Sequence, residues 1–266
     1  MLVQTDSLFR RALPTSLAWL VLQLLLVTLG LISVFWNLLS LLLYPLLPRA
    51  AGLRVGRAGI ALGYRFFWRV ARLTGLLRMD ASALDVLADE RGLIVVANHP
   101  SLLDALMLVA RLPRSACVMK ASLRRNPLLG PGARLARYIR NDSPRGLIRM
   151  AVADLRAGGQ LVMFPEGTRS VGHRLNTFRP GFAAIAQRAQ VPVQAVFIDT
   201  DSPYLGKGWP LWRLPHLPIE FTVRMGKRFE PAAMTSPAAL GRINALAREV
   251  EQHFVAGVRH TPARSP

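Results

Sequence analysis

The side chains best suited to chemistry near neutral pH lie close together in the stretch Asn98-His99-Pro100-Ser101-Leu102-Leu103-Asp104. His99 has the imidazole of near-neutral pKa that can take a proton from an attacking hydroxyl. Asp104 stands five residues later, about a turn into an apolar helix, from where its carboxylate can reach the other ring nitrogen. There it would fix the tautomer and stabilise the imidazolium that forms. Such a pair is a dyad that needs no nucleophilic serine. A purely structural reading also stands open, in which Ser101 to Asp104 form a capping box and Asp104 satisfies only backbone amides. Ser101 as a nucleophile would lack the Gly-x-Ser-x-Gly elbow on which hydrolases present theirs.

A second stretch, Phe164-Pro165-Glu166-Gly167-Thr168-Arg169-Ser170, follows directly on the apolar run 161–164. Pro165 ends a strand, Gly167 allows a ligand close to the backbone, and Arg169 offers a planar fork matched to phosphate or carboxylate oxygens. Glu166 could fix the turn or hold a hydroxyl. A tight turn carrying a solvated arginine is the plain structural alternative.

Short apolar runs alternating with amphipathic stretches must position both motifs, the rhythm of an α/β domain with a largely buried sheet. Polar clusters at strand ends are where such folds place their sites. Strands are expected at 93–97, 116–119, 160–164, 193–198 and 219–225, and helices at 102–112, 146–156, 182–189 and 240–256. The Pro- and Gly-containing segment 202–218 and the tail 260–266 read as loose. Apolar residues make up 52% of the 266, enough for one catalytic domain and a short appendage. The lone Cys117 sits in an apolar run as a core thiol, and the five histidines lack the spacing of a zinc site. Neither a metal nor a cofactor is implied.

No residue from 12 to 48 is charged, and 17–47 is dominated by Leu, Val and Ile. As one helix that run would be roughly 46 Å long, more than the roughly 30 Å hydrocarbon core of a bilayer. It is expected either as one tilted span or as a helical hairpin bending near residues 30–37, and it is too long for the core of a signal peptide. Seven arginines, Arg49 to Arg78, follow it before any acid appears, against Arg10 and Arg11 ahead of it, which places the catalytic part on the cytoplasmic face. Residues 53–77 read as a basic helix on the membrane surface, with Arg54, Arg65, Arg69 and Arg72 on one face, or else as a solvated helix of the soluble domain. The expected divisions are an anchor at 1–48, a basic interfacial helix at 49–79, a catalytic domain at 80–258 and a tail at 259–266. The net charge of +19, from 34 Lys and Arg against 15 Asp and Glu, then belongs largely to anionic membrane lipid, and no nucleic acid partner is expected.

The two motifs, about 60 residues apart and in this order, resemble the His-x-x-x-x-Asp (HX4D) and Phe-Pro-Glu-Gly-Thr-Arg signatures of the glycerolipid and lysophospholipid acyltransferases, the PlsC-type family. Val118-Met119-Lys120 and Phe178-Arg179-Pro180-Gly181-Phe182 resemble further blocks of that family. The resemblance implies a mixed sheet flanked by helices, with His99 as general base and Asp104 as its partner. It also implies Glu166, Gly167, Thr168 and Arg169 around the acceptor, Arg169 and Lys120 on its phosphate, and acyl-CoA or acyl carrier protein as donor. Two blocks depart from the family pattern. Tyr138-Ile139-Arg140-Asn141-Asp142 stands where an Ile-Asp-Arg-like sequence is common, with Arg140 or Arg145 as a substitute, and Ala195 stands where a second proline is common. The implied acceptor is lysophosphatidic acid, used in phospholipid biosynthesis, or a specialised lyso-aminolipid or polyene lipid. Rival readings are a lipid hydrolase in which His99 activates water, and a non-catalytic lipid-binding protein.

Overall fold

Five of the apolar runs form strands: β2 (Leu93–Ala97) is buried along its whole length, whereas the run 219–225 begins by alternating buried and exposed residues. The computed structural model describes residues 14–120, 126, 130–170, 175–232 and 239–258. Within them, β1 (Leu77–Asp80), β2, β3 (Ser115–Lys120), β4 (Ile139–Asn141), β5 (Gln160–Met163), β6 (Val193–Thr200) and β7 (Ile219–Phe229) make a sheet of order β1-β7-β6-β2-β5-β3-β4. The pairing of β6 with β7 is antiparallel and the others are parallel. The sheet is mixed and flanked by helices, as expected. On one face Leu93, Val95 and Ala97 pack under α1 (Thr15–Leu46), α2 (Arg49–Leu73) and α3 (Asp104–Arg111). On the other, Ile94 and Val96 pack under α5 (Pro144–Arg156), α6 (Gly181–Ala189) and α7 (Ala239–Gly257).

The elements the sequence did not signal are short. β1 has 4 residues and β4 has 3, and α4 (Gly130–Leu135) has 6, three of which are Gly or Pro. Edge pairing and packing, rather than propensity, hold them in place. The start of α5 is locally encoded: Ser143 accepts the Gly146 N–H at 3.1 Å and Pro144 occupies the first turn.

Of the two expected forms the N-terminal segment takes the single helix, 32 residues long and apolar enough by length and composition to cross a membrane. α1 runs unbroken through residues 30–37, and the chain reverses only at Leu47 and Pro48, where α2 begins. α1 is two-faced. Ala18, Leu22, Leu25, Asn37 and Ser40 are buried on the protein, whereas Leu20, Leu24, Val27, Leu31, Phe35, Leu38 and Leu42 are exposed along the other side. Asn37 is tolerated in this apolar helix because its Oδ1 accepts the Gly132 N–H of α4 at 2.8 Å while its Nδ2 donates to Ser33 O. α2 starts at Arg49, and Phe67, Trp68 and Ala71 bury its inner face in the main core, so this helix belongs to the body of the protein. Arg54, Arg69 and Arg72 remain exposed on its outer side, and Arg65 is tied to Ala110 O at 2.6 Å.

Arg57 is the strongest tether between α2 and the sheet layers. Only 5% exposed, it donates to Asp154 Oδ1 at 2.6 Å, Arg114 O at 2.7 Å and Ala136 O at 3.2 Å. Removing one partner of such a buried pair leaves the other uncompensated. Arg57→Ala is therefore expected to destabilise the fold by about 3–5 kcal/mol, read as a lowered midpoint in denaturant unfolding of the detergent-solubilised chain. An unchanged midpoint would show that the tether carries no stability.

Candidate active site

The site grows from the ends of two neighbouring strands. β2 and β5 pair in parallel, with Val96 opposite Met163, so the segments that follow them emerge side by side. Asn98, buried, clasps β6 by donating from Nδ2 to Ile198 O and accepting the Ile198 N–H at Oδ1, both at 2.8 Å. Just beyond it, the His99 backbone is gripped by the second motif. Its N–H donates to Glu166 Oε1 at 2.9 Å, and its carbonyl accepts the Ser170 N–H at 2.8 Å.

With the backbone held, two contacts aim the imidazole. It stacks on Phe164, with ring centroids 4.1 Å apart and planes 20° from parallel. Its Nδ1 lies 2.8 Å from Asp104 Oδ2. A proton on Nδ1 donated to Asp104 leaves Nε2 as the acceptor nitrogen, and Nε2 has no partner among the described residues. The His99 side chain is 18% exposed while Asp104 is fully enclosed, so the basic nitrogen is the part open to a ligand. Asp104 plays both roles read from the sequence, since its Oδ2 also accepts the Ser101 N–H at 2.8 Å. Burial pushes its carboxyl up to about 6, against the lowering effect of the hydrogen bonds from His99 and Ser101, and the Glu166 charge raises it further.

Ser101 is no nucleophile. It is fully buried, and its hydroxyl donates to Tyr204 O at 3.0 Å. Cys117 is excluded as well, because burial pushes its thiol up to about 12. Instead it lines an apolar cavity of about 200 Å³ enclosed by α1, α2, α3, β3 and α4, which also touches Trp36, Gly63, Val109 and Ala105, the neighbour of Asp104.

The other expected site residues separate into distinct places. Glu166 does not face the opening: it is buried, and its oxygens are occupied by His99 N–H, the Ser170 hydroxyl, and the backbone and side-chain N–H groups of Asn176 at 2.8–2.9 Å. Its carboxylate is a clasp between the motifs rather than a holder of an acceptor hydroxyl. Gly167, at φ +69°, and Thr168 are exposed on the rim, and a Cβ at 167 would meet the Arg179 guanidinium at 3.0 Å. Arg169 is not simply solvated, since its Nη1 donates to Leu205 O and Gly206 O at 2.8 and 2.9 Å. Lys120 ends β3, with its side chain outside the described residues. Arg140 lies on β4, three strands from β2 in the sheet, paired with Asp142 at 3.4 Å and lining a different cavity.

Sequence reasoning missed Asn98, Phe164, Asn176 and the segment after β6. The first two were legible only as neighbours of the motif residues. The segment expected to be loose is tied to the site by Ser101, Arg169 and the Leu102 N–H bond to Leu205 O at 3.0 Å, a docking without a local sequence signal.

The sequence and the fold have counterparts among known proteins. A family model described as Acyltransferase matches residues 78–199. A lyso-ornithine lipid O-acyltransferase of Pseudomonas aeruginosa is 33% identical over 52% of this chain and 58% of its own length. A 1-acyl-sn-glycerol-3-phosphate acyltransferase of Cocos nucifera is 29% identical over 60% of this chain and 52% of its own. These matches span just over half of those two relatives. In fold, the crystal structure of the 1-acyl-sn-glycerophosphate acyltransferase PlsC from Thermotoga maritima superposes with a TM-score of 0.68 at 23% identity, covering 93% of this chain and 99% of that one.

Glu166→Gln would place a donor among donors at Ser170 and Asn176. The expected loss is about 1–3 kcal/mol of unfolding free energy, with displaced His99 ring resonances in NMR spectra. A variant matching the wild type in both would mean the clasp is dispensable.

Proposed function

We propose that the chain is a PlsC-type acyltransferase, membrane-bound, that moves a fatty acyl chain from acyl-CoA or acyl carrier protein to a lysolipid hydroxyl, a reading supported by the family match over residues 78–199 and by the relatives named above. The observation that carries this reading is the 2.8 Å contact between His99 Nδ1 and Asp104, which leaves Nε2 as the open base. His99 Nε2 takes the proton of the acceptor hydroxyl as its oxygen attacks the thioester carbonyl. Asp104 stabilises the imidazolium while the tetrahedral adduct forms. Collapse expels the thiolate, which recovers the proton from His99, so no covalent enzyme intermediate is needed. The apolar cavity beside Ala105 suits the acyl chain.

The first acceptor is 1-acylglycerol-3-phosphate. Its phosphate would meet Arg179 beside Gly167 and the free edge of Arg169, with Lys120 as a further cation. A lyso-aminolipid is the second reading, and two observations favour it. The Arg169 Nη1 is already committed to two carbonyls, and Arg140 lines a separate cavity.

Membrane binding fits α1, a 32-residue helix apolar enough by length and composition to cross a bilayer. One face of α1 packs on the body, and the exposed apolar stripe from Leu20 to Leu42 is the surface available to lipid. The arginines that follow α1 favour the cytoplasmic face.

Membranes carrying the chain, offered acyl-CoA and acyl carrier protein against a lysolipid panel, are expected to acylate lysophosphatidic acid. His99→Ala should lower the rate by about 10²–10⁴-fold, and activity that survives it would sink the base assignment. Acylation of lyso-ornithine lipid alone would select the second acceptor. Because Asp104 takes up a proton as pH falls through about 6 and then no longer offers His99 a carboxylate, kcat is expected to decline below an inflection near 6; a flat profile from pH 8 to 5 would exclude the dyad.

A further inference from the structure

A second, larger cavity of about 530 Å³ opens at the β4 edge of the sheet, where the α1–α2 turn meets α4 and α5. Four arginines line it: Arg49 in the first turn of α2, Arg134 on α4, Arg137 just past that helix, and Arg140 on β4. The acid on its wall, Asp154, is already bonded to Arg57 at 2.6 Å. Arg140 has Asp142, but the side chains of Arg49, Arg134 and Arg137 have no hydrogen bond or ion pair among the described residues. The Nε of Arg137 is sealed from solvent and unpartnered, a costly condition for a cationic donor.

Arg137 also occupies a position that favours glycine. At φ +54° it closes α4 in the left-handed region, where the Tyr138 N–H returns to Ala133 O at 2.9 Å. An arginine held there, against its own backbone preference, adds its side chain to a wall already bearing three others. Burial and the neighbouring Arg49 charge both press its pKa down, against the raising effect of Tyr44.

Between the arginines the walls are apolar, with Leu53, Ile139 and Met150 among them. The rim carries Tyr44 from the end of α1, next to the exposed Leu41, Leu42 and Leu46. A soluble anion uses only the guanidinium groups, whereas an amphiphile uses both these and the apolar walls. We propose that this cavity binds the anionic headgroup of a membrane phospholipid, its phosphate on Arg49, Arg134 and Arg137 and the adjoining methylenes on the apolar walls. The proposal rests on the reading that α1 docks on a membrane. Met119, Ala133 and Tyr138 line both this cavity and the apolar one beside Ala105, so the lipid site backs onto the acyl-chain cavity.

The test uses the purified full-length chain, floated with phosphatidylcholine vesicles with or without phosphatidylglycerol, beside acyl transfer measured in detergent. The wild type is expected to bind the anionic vesicles about tenfold more tightly. Arg134→Ala/Arg137→Ala should erase that preference while binding to phosphatidylcholine and the rate in detergent stay unchanged. Arg134→Lys/Arg137→Lys, which keeps the charge, should also lose most of it, since a lysine cannot supply the planar fork. The pair Arg54→Ala/Arg69→Ala, exposed on the same hairpin, should lose little. Equal losses in the two alanine pairs would reduce the effect to diffuse charge and overturn the site. Protection of the wild type, but not of Arg134→Ala/Arg137→Ala, from thermal unfolding by free coenzyme A, with vesicle preference intact in both, would assign the cavity to a soluble anion instead. A wild type that floats with neither vesicle would overturn the docking reading and this proposal together, whereas flotation without an anionic preference would overturn this proposal alone.

Discussion

One buried carboxylate holds the two motifs in register. Glu166 lies beneath the surface, and its oxygens receive hydrogen bonds from the His99 backbone, the Ser170 hydroxyl and both nitrogens of Asn176. A carboxylate can remain charged in such a place only because donors replace its water. With the return bond from Ser170 N–H to His99 O, the clasp fixes the catalytic backbone from two sides. Everything that aims the base, including the Phe164 stack and the reach of Asp104, presumes that fixed backbone. The parallel pairing of β2 and β5 brings the clasp within range of residues far away along the chain.

That proximity also has an electrostatic side. Burial, joined by the charge of Glu166, raises Asp104 to about 6, so the partner of His99 is a carboxylate that takes up a proton more readily than an exposed one. Asn98 keeps the arrangement rigid by engaging both backbone groups of Ile198 on the neighbouring strand.

The basic residues divide into kinds with different physics. Arg57 is a buried tether, Arg54, Arg69 and Arg72 are exposed on α2, and the arginines at the β4 edge converge on a cavity. A net charge of +19 is thus no single property. α1 likewise joins two environments, with one face filling the core and the other presenting an unbroken apolar stripe.

The sequence alone determined the parts whose cause is local. The apolar runs marked β2, β3, β5, β6 and β7, the alternation marked the α/β class, and residue type and spacing marked His99 and Asp104. Patterning also identified the N-terminal segment as continuous apolar helix material, though not where it would turn. What the tertiary structure decided depends on partners distant along the chain. Glu166 became a clasp rather than a ligand because donors from two loops surround it, and Arg169 was engaged by carbonyls of a segment that read as loose. Arg140 moved to another cavity because β4 pairs at the far edge of the sheet. β1, β4 and α4 are too short for a periodic signal, and packing alone holds them.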